Sequence, residues 1–216
     1  MDLHTAIKHA IDGKAVLFLG SGASIGAKPI VGEKFLTGRE LAVLLSEPAG
    51  LKPPSEDLNF AAQRYRKVAG DTKLVELLQG LFSASTVSES HHRLSEIKWH
   101  GIYTTNYDNV VEKAFAERKK KLVPLTPDQD TRDHTRHKNS ILHINGYIDS
   151  LTPSALGTSF KLTNTSYMTE AFAKSNWSFV FRRNLEAARA IIFLGYSMYD
   201  IDIQRIMFGG DALKDK

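Results

Sequence analysis

The chain has 216 residues, 42% of them hydrophobic and 24% charged, the size of one large domain with a real core. Its 28 basic and 24 acidic residues leave a net charge of +4, too even for a dedicated nucleic-acid binder, while a pI of about 9.2 leaves room for a basic face. No run approaches the roughly 18 apolar residues that span a bilayer, and the N-terminus lacks the basic start and apolar run of a secretory signal. The absence of cysteine excludes disulfides, thiolate zinc sites, iron–sulfur clusters and a cysteine nucleophile. Together these features predict a cytoplasmic protein that does not enter the membrane.

In chain order, helical spacing covers Leu3 to Ile11 and stops at Gly13. Ala15 to Leu19 is a short, wholly apolar run that reads as a buried strand, followed by the glycine-rich turn Gly20-Ser21-Gly22-Ala23-Ser24. From about 37 to 97 the pattern is helical, with breaks at Pro48, Pro53-Pro54, Gly70 and Ser83 to Ser85, and it opens on the capping-box spacing of Thr37 and Glu40. This block predicts a helical insert within a single domain over 1–216.

Gly101 to Thr105 restores strand character, and Asn106-Tyr107-Asp108 leads into a helix over Asn109 to Glu117. The basic run Arg118 to Lys121 suits either a solvated helix end, where cations meet the negative end of the dipole, or a phosphate-contacting patch. Leu122 to Leu125 is a short strand candidate, and Thr126 to Lys138 reads as a polar, mobile loop. Ser140 to Ile144 is the next buried strand, ending in Asn145-Gly146. A helical region follows over about Asn164 to Arg189, then a strand over Ala190 to Leu194, the turn Gly195-Tyr196-Ser197 and a helix starting near Asp200. Apolar strands alternating with helices predict an α/β fold, a Rossmann-like doubly wound parallel sheet, with ligands held at the carboxyl ends of its strands. All four polar turns fall at those ends.

The first turn suits a phosphate-bearing ligand, because glycines admit close approach and a following helix offers amides and a positive dipole end. A plain tight turn explains it equally well: the third glycine stands at Gly26, one place late for G-x-G-x-x-G, and no Walker lysine follows. At the second turn, Thr104-Thr105-Asn106-Tyr107-Asp108, asparagine and aspartate can bond sugar hydroxyls or a carboxamide, or orient water, with capping of the next helix by Asn106 or Asp108 as the plainer reading. His143 stands at the third turn, as a catalytic imidazole or as a hydrogen-bonded core residue. Gly195, Ser197 and Asp200 at the fourth suit an adenosine ribose or a capped strand-to-helix turn. The other histidines lack metal-ligand spacing, so no metal site is expected.

In this order, FLGSGAS at 18–24, YTTNYD at 103–108, ILHINGYID at 141–149 and FLGYSMYDIDI at 193–203 resemble the sirtuin superfamily, in particular the prokaryotic sirtuin-like NAD hydrolases of anti-phage defence. The resemblance implies that NAD+ is a consumed substrate, not a recycled cofactor, and that no metal takes part. It implies cleavage of the nicotinamide–ribose bond, with Gly20 to Ser24 on the pyrophosphate, Asn106 positioning water or ribose and Asp108 at the nicotinamide end. Gly22→Val is then expected to block binding by crowding the pyrophosphate. The resemblance also implies a sensor domain or partner subunit and a homo-oligomer, with nucleic acid involved only indirectly.

Two departures stand out. The cysteine module of deacetylase sirtuins is missing, which argues against a protein deacylase. The family's histidine directly precedes a glycine, whereas here Asn145 precedes Gly146. Residues two apart on a strand share a face, so His143 as general base and Asn145 on ribose or water are expected to project into one cavity. The alternative is a module that senses NAD or ADP-ribose without cleaving it.

Overall fold

The computed structural model describes residues 1–137, 139–162, 172 and 175–196. Helix α1 (Leu3–Ile11) leads into β1 (Ala15–Leu19), a turn of 3-10 helix over Ser21–Ser24, and the two-residue β2 (Lys28–Pro29). Helices α2 (Gly38–Ser46), α3 (Leu58–Ala69) and α4 (Asp71–Phe82) follow, then β3 (Ala84–Thr86) and α5 (Glu89–Leu94). After these come β4 (Gly101–Thr104), α6 (Val110–Glu117), β5 (Val123–Leu125), α7 (Arg132–Arg136), β6 (Ser140–His143), α8 (Asn176–Ala187) and β7 (Ala190–Leu194).

Among the described residues, five strands form one parallel sheet in the order β5-β6-β4-β1-β7. The alternation of side chains along β1 decides what packs where. Val16 and Phe18 point to one face, where α8 lays down Trp177, Phe181 and Leu185; Leu17 and Leu19 point to the other, against Val111 and Phe115 of α6. Each fully buried large apolar side chain contributes about 1.5–3 kcal/mol, so helices on both faces are what the wholly apolar strand requires. The result is an α/β, Rossmann-like, doubly wound sheet. No described helix is long and apolar enough to cross a membrane.

Helices α2, α3 and α4 bury their apolar stripes against one another, in a cluster that includes Leu41, Leu45, Leu74 and Leu78 and takes in Ile148 and Phe160 from the chain after β6. The capping box forms as expected: Thr37 accepts from the Glu40 amide, and the Glu40 carboxylate accepts from the Thr37 amide at 2.8 Å. Lys34 at 2.5 Å, followed by the Thr37 amide and hydroxyl, holds the Glu40 carboxyl down to about 2. Thr37→Ala is expected to cost about 1 kcal/mol, the usual value of such a cap, read as a lower denaturant midpoint with unchanged slope.

Two predicted segments differ from the fold, and a third is described only in part. The helical block is interrupted by β3, which pairs antiparallel with β2; Ser85 Oγ donates to the Pro29 carbonyl at 2.8 Å and the Ala84 amide to Asn109 Oδ1 at 2.7 Å. The polar segment read as a loop contains α7, because Asp130 accepts from the Arg132 amide at 2.9 Å and His134 packs edge-on to Trp177. The helix expected from about Asn164 is described from Asn176, where Ser175 caps it; residues 163–171 and the helix expected near Asp200 lie outside the described residues. In the basic run, Arg118 pairs with Glu89 at 2.7 Å and Lys120 donates to the Ser95 carbonyl at 2.6 Å, so both brace α6 against α5.

Candidate active site

The sheet register places the strand ends Leu19, Thr104, His143 and Leu194 in one row. A cavity of about 690 Å³ opens above this rim. Gly20, Ser21, Gly22 and Ser24 line it from the first turn, Thr105, Asn106 and Asp108 from the second, Asn145 from the third and Tyr196 from the fourth. The turns picked out in the sequence thus converge on one space.

The first turn is built differently from the expected glycine loop and α-helix. Ser21–Ser24 is a single 3-10 turn, and the next described α-helix begins only at Gly38, so the expected α-helix does not directly follow the turn. Its glycines answer to the neighbouring strand: the Gly22 amide donates to the Gly195 carbonyl at 2.9 Å, and a Cβ on Gly22 would lie 2.8 Å from Gly195 Cα. The expectation that Gly22→Val acts by crowding a pyrophosphate is therefore corrected. The valine would first collide with the backbone after β7. Ala23 faces the sheet core and does not line the cavity; its carbonyl accepts from the buried His91, whose Nε2 lies at 2.8 Å.

Asn106 is held from both ends. Its Nδ2 donates to the Gly20 carbonyl at 2.9 Å and to Ser24 Oγ at 3.1 Å, and its own amide donates to Thr104 Oγ1 at 3.0 Å. Ser24 Oγ in turn donates to Asp108 Oδ2 at 2.7 Å. Asp108 also accepts from the Val110 amide at 3.2 Å, so it serves the α6 N-terminus as well as the cavity wall. Only 7% exposed, its carboxyl is pushed up by burial, which outweighs the bonds from Ser24 and Val110.

That shift has a direction in pH. A folded-state pKa above the ordinary 3.8 means the native protein keeps this proton longer than the unfolded chain. The group's contribution to stability is complete below 3.8 and declines as pH rises through the folded value. Asp108→Asn removes the decline and keeps a hydrogen-bonding side chain opposite Ser24. A melting temperature at pH 7 at or above wild type is expected; a fall of several degrees would contradict this.

His143 does not reach the cavity, contrary to expectation. It is 1% exposed; its Nδ1–H donates to the Asn106 carbonyl at 2.9 Å, and its Nε2 lies 2.6 Å from Glu112 Oε1 on α6. Burial disfavours its charge, but Glu112 and the Asn106 carbonyl favour it more, and the net shift is upward. With Nδ1 and Nε2 both engaged and the ring buried, His143 offers no free nitrogen to a water in the cavity. The two-residue rule fails because β6 ends at His143: the chain turns there, and Asn145 swings to the cavity, its Nδ2 donating to the Thr105 carbonyl at 3.1 Å.

Gly146 and Gly195 do not line the cavity either. Gly146 packs against Ser159 and Phe160, and Gly195 against the Gly22–Ala23 peptide. Ser197 and Asp200 lie outside the described residues.

Sequence reasoning missed two parts of the site. One is Glu112, whose signal is a carboxylate one helical turn beyond Asp108 on a helix facing the sheet. The other is the wall over 25–41, where Lys28 pairs with Glu33 at 2.8 Å and Lys34 with Glu40, beside Phe35, Leu36 and Leu41. Its signal is the mix of Gly26, Pro29 and Gly32 with closely spaced opposite charges.

A parallel sheet with converging glycine, asparagine and aspartate turns at its carboxyl rim defines the class. The chain belongs to the SIR2-like domain family, which matches residues 100–215. It is also 26% identical over 214 residues to the NAD(+) hydrolase ThsA of Enterococcus faecium, an alignment covering 90% of this chain and 39% of that protein. The chain therefore spans well under half the length of this relative.

Proposed function

We propose that the chain hydrolyses NAD+ at the nicotinamide–ribose bond, giving nicotinamide, ADP-ribose and a proton. The observation that carries this reading is the Gly20–Asn106–Ser24–Asp108 hydrogen-bonded set on the floor of the cavity. Similarity to an NAD(+) hydrolase supports it. The C1′–N bond breaks with its electron pair leaving on nicotinamide, whose ring charge is thereby neutralised, while positive charge develops on the ribose. Asn106 positions the ribose hydroxyls and the attacking water, and Asn145 binds beside it. Asp108 lies at the nicotinamide end, where a cationic ligand favours its ionised form. Solvent takes the proton of the attacking water, since no imidazole among the described residues lines the cavity.

The same proposal places the activity in anti-phage defence by abortive infection, gated by a sensor region or partner subunit and by assembly of several copies in the cytoplasm. The support for this setting is the sirtuin-like resemblance of the four turns. A second reading, an NAD- or ADP-ribose-sensing module, is favoured by Asn145 standing where the family has histidine and by the withdrawal of His143 from the cavity. Incubation with micromolar NAD+, with nicotinamide and ADP-ribose quantified over time and calorimetry run in parallel, separates the two. Equal release of both products supports the hydrolase; saturable binding with no release supports the sensor.

A further inference from the structure

Beneath the cavity floor lies a buried glutamate–histidine pair with no evident duty in the fold. Glu112 is 11% exposed and His143 1% exposed, with 2.6 Å between Oε1 and Nε2. A buried ion pair pays a desolvation cost that often cancels its attraction, and apolar side chains of similar volume commonly stabilise as well or better. Stability alone therefore does not account for it. Glu112 is also incompletely satisfied: its Oε2 is buried without a hydrogen bond and borders a small void shared with Ser24, Asn106 and Asp108.

The pair meets the cavity at one point. His143 Nδ1–H donates to the carbonyl of Asn106 at 2.9 Å, two residues beyond the end of the β4 strand. Among the described residues, the same residue's side chain donates to Gly20 and Ser24, both on the opposite turn. We propose that Glu112 is a positioning residue: through His143 it pins the Asn106 peptide and so aims the Asn106 side chain at the ligand. The effect on turnover rests on the hydrolase reading; the anchoring of Asn106 does not.

A hydrogen bond from an imidazolium is roughly twice as strong as one from a neutral ring, so the charge on Glu112 matters as well as its shape. The groups facing His143 are Glu112 on α6, Asp108 in the preceding turn and the Tyr147 ring, whose centroid lies 4.5 Å away. Among the described residues, Glu112 is the hydrogen-bond partner of Nε2.

Imidazole nitrogen NMR, with His143→Gln to assign the resonance, reads the protonation of His143 without reference to activity. A doubly protonated His143 at pH 7.5 in the wild type, lost in Glu112→Gln, is expected. In kinetics, Glu112→Gln is expected to lower kcat about tenfold with KM within about twofold, the size of the step from a charge-assisted to a neutral hydrogen bond. The alkaline fall of its kcat should begin at least about one pH unit lower than in the wild type. Glu112→Asp, which keeps the charge, should stay within about threefold of wild type and covers the case in which the Gln variant folds poorly. A neutral His143 in the wild type overturns the proposal, and so does Glu112→Gln that loses the ring proton while kcat and its pH profile stay unchanged. If the wild type cleaves no NAD+ yet His143 responds to Glu112 as expected, the hydrolase reading fails and the anchor is supported.

Discussion

Asn106→Ala is expected to lower NAD+ cleavage by about 100-fold or more, on the scale of removing a hydrogen-bond group aimed at the reacting centre, while the protein remains folded. The fold has little at stake in this side chain. Its Nδ2 bonds reach Gly20 and Ser24, and the Gly20 carbonyl also accepts from the Ala23 amide at 2.9 Å, so it stays paired in the variant. Each lost neutral bond costs about 1 kcal/mol. The ligand, by contrast, loses the one amide held from both turns at the centre of the floor. Asn106→Asp sharpens the test, since a carboxylate cannot donate to the Gly20 carbonyl. Turnover and thermal melts of both variants check this; a variant that melts far below wild type would mean that Asn106 serves the fold first.

Gly195→Ala is expected to be the most damaging glycine-to-alanine change among the described glycines. Gly195 sits at φ +61, and a Cβ there would lie 2.0 Å from the Ala23 amide nitrogen and 2.2 Å from the Gly22 carbonyl carbon. Both neighbours are backbone, so no side chain can move aside, and the two turns after β1 and β7 must separate. A loss of about 4 kcal/mol or more follows from such a clash, which for a chain of this size is a fall in melting temperature of about 10 °C or more. Gly22→Val meets the same obstacle from the other side, at 2.8 Å from Gly195 Cα. A Gly195→Ala protein melting within a degree or two of wild type would show that the turns are not locked together.

These cases mark what was legible in the residues and what was not. Wholly apolar runs such as Ala15 to Leu19 announce strands buried on both faces, and polar turns closing each run announce the rim, because both signals are local. Asn106 and Asp108 were found that way, and both line the cavity. The place of His143 is not legible in this way, because the two-residue rule holds only while a strand continues, and β6 ends at His143, just ahead of a Gly146 that packs on Phe160. The duty of Gly22 toward Gly195 is not legible either: 173 residues separate the two, as the difference of their numbers gives, and nothing near either one reports the other. Glu112 has the pattern of an ordinary polar residue on an amphipathic helix, and its partner His143 stands 31 positions away in the sequence. The β2–β3 pair, only a few residues long, carries too little periodicity to stand out from its helical surroundings.

The most direct test is nicotinamide release from NAD+ by the purified chain, run beside Asn106→Ala at equal concentration. Release by the wild type, matched by ADP-ribose and nearly absent in the variant, is the expected result. Equal release by both proteins would contradict the assignment of cleavage to this cavity.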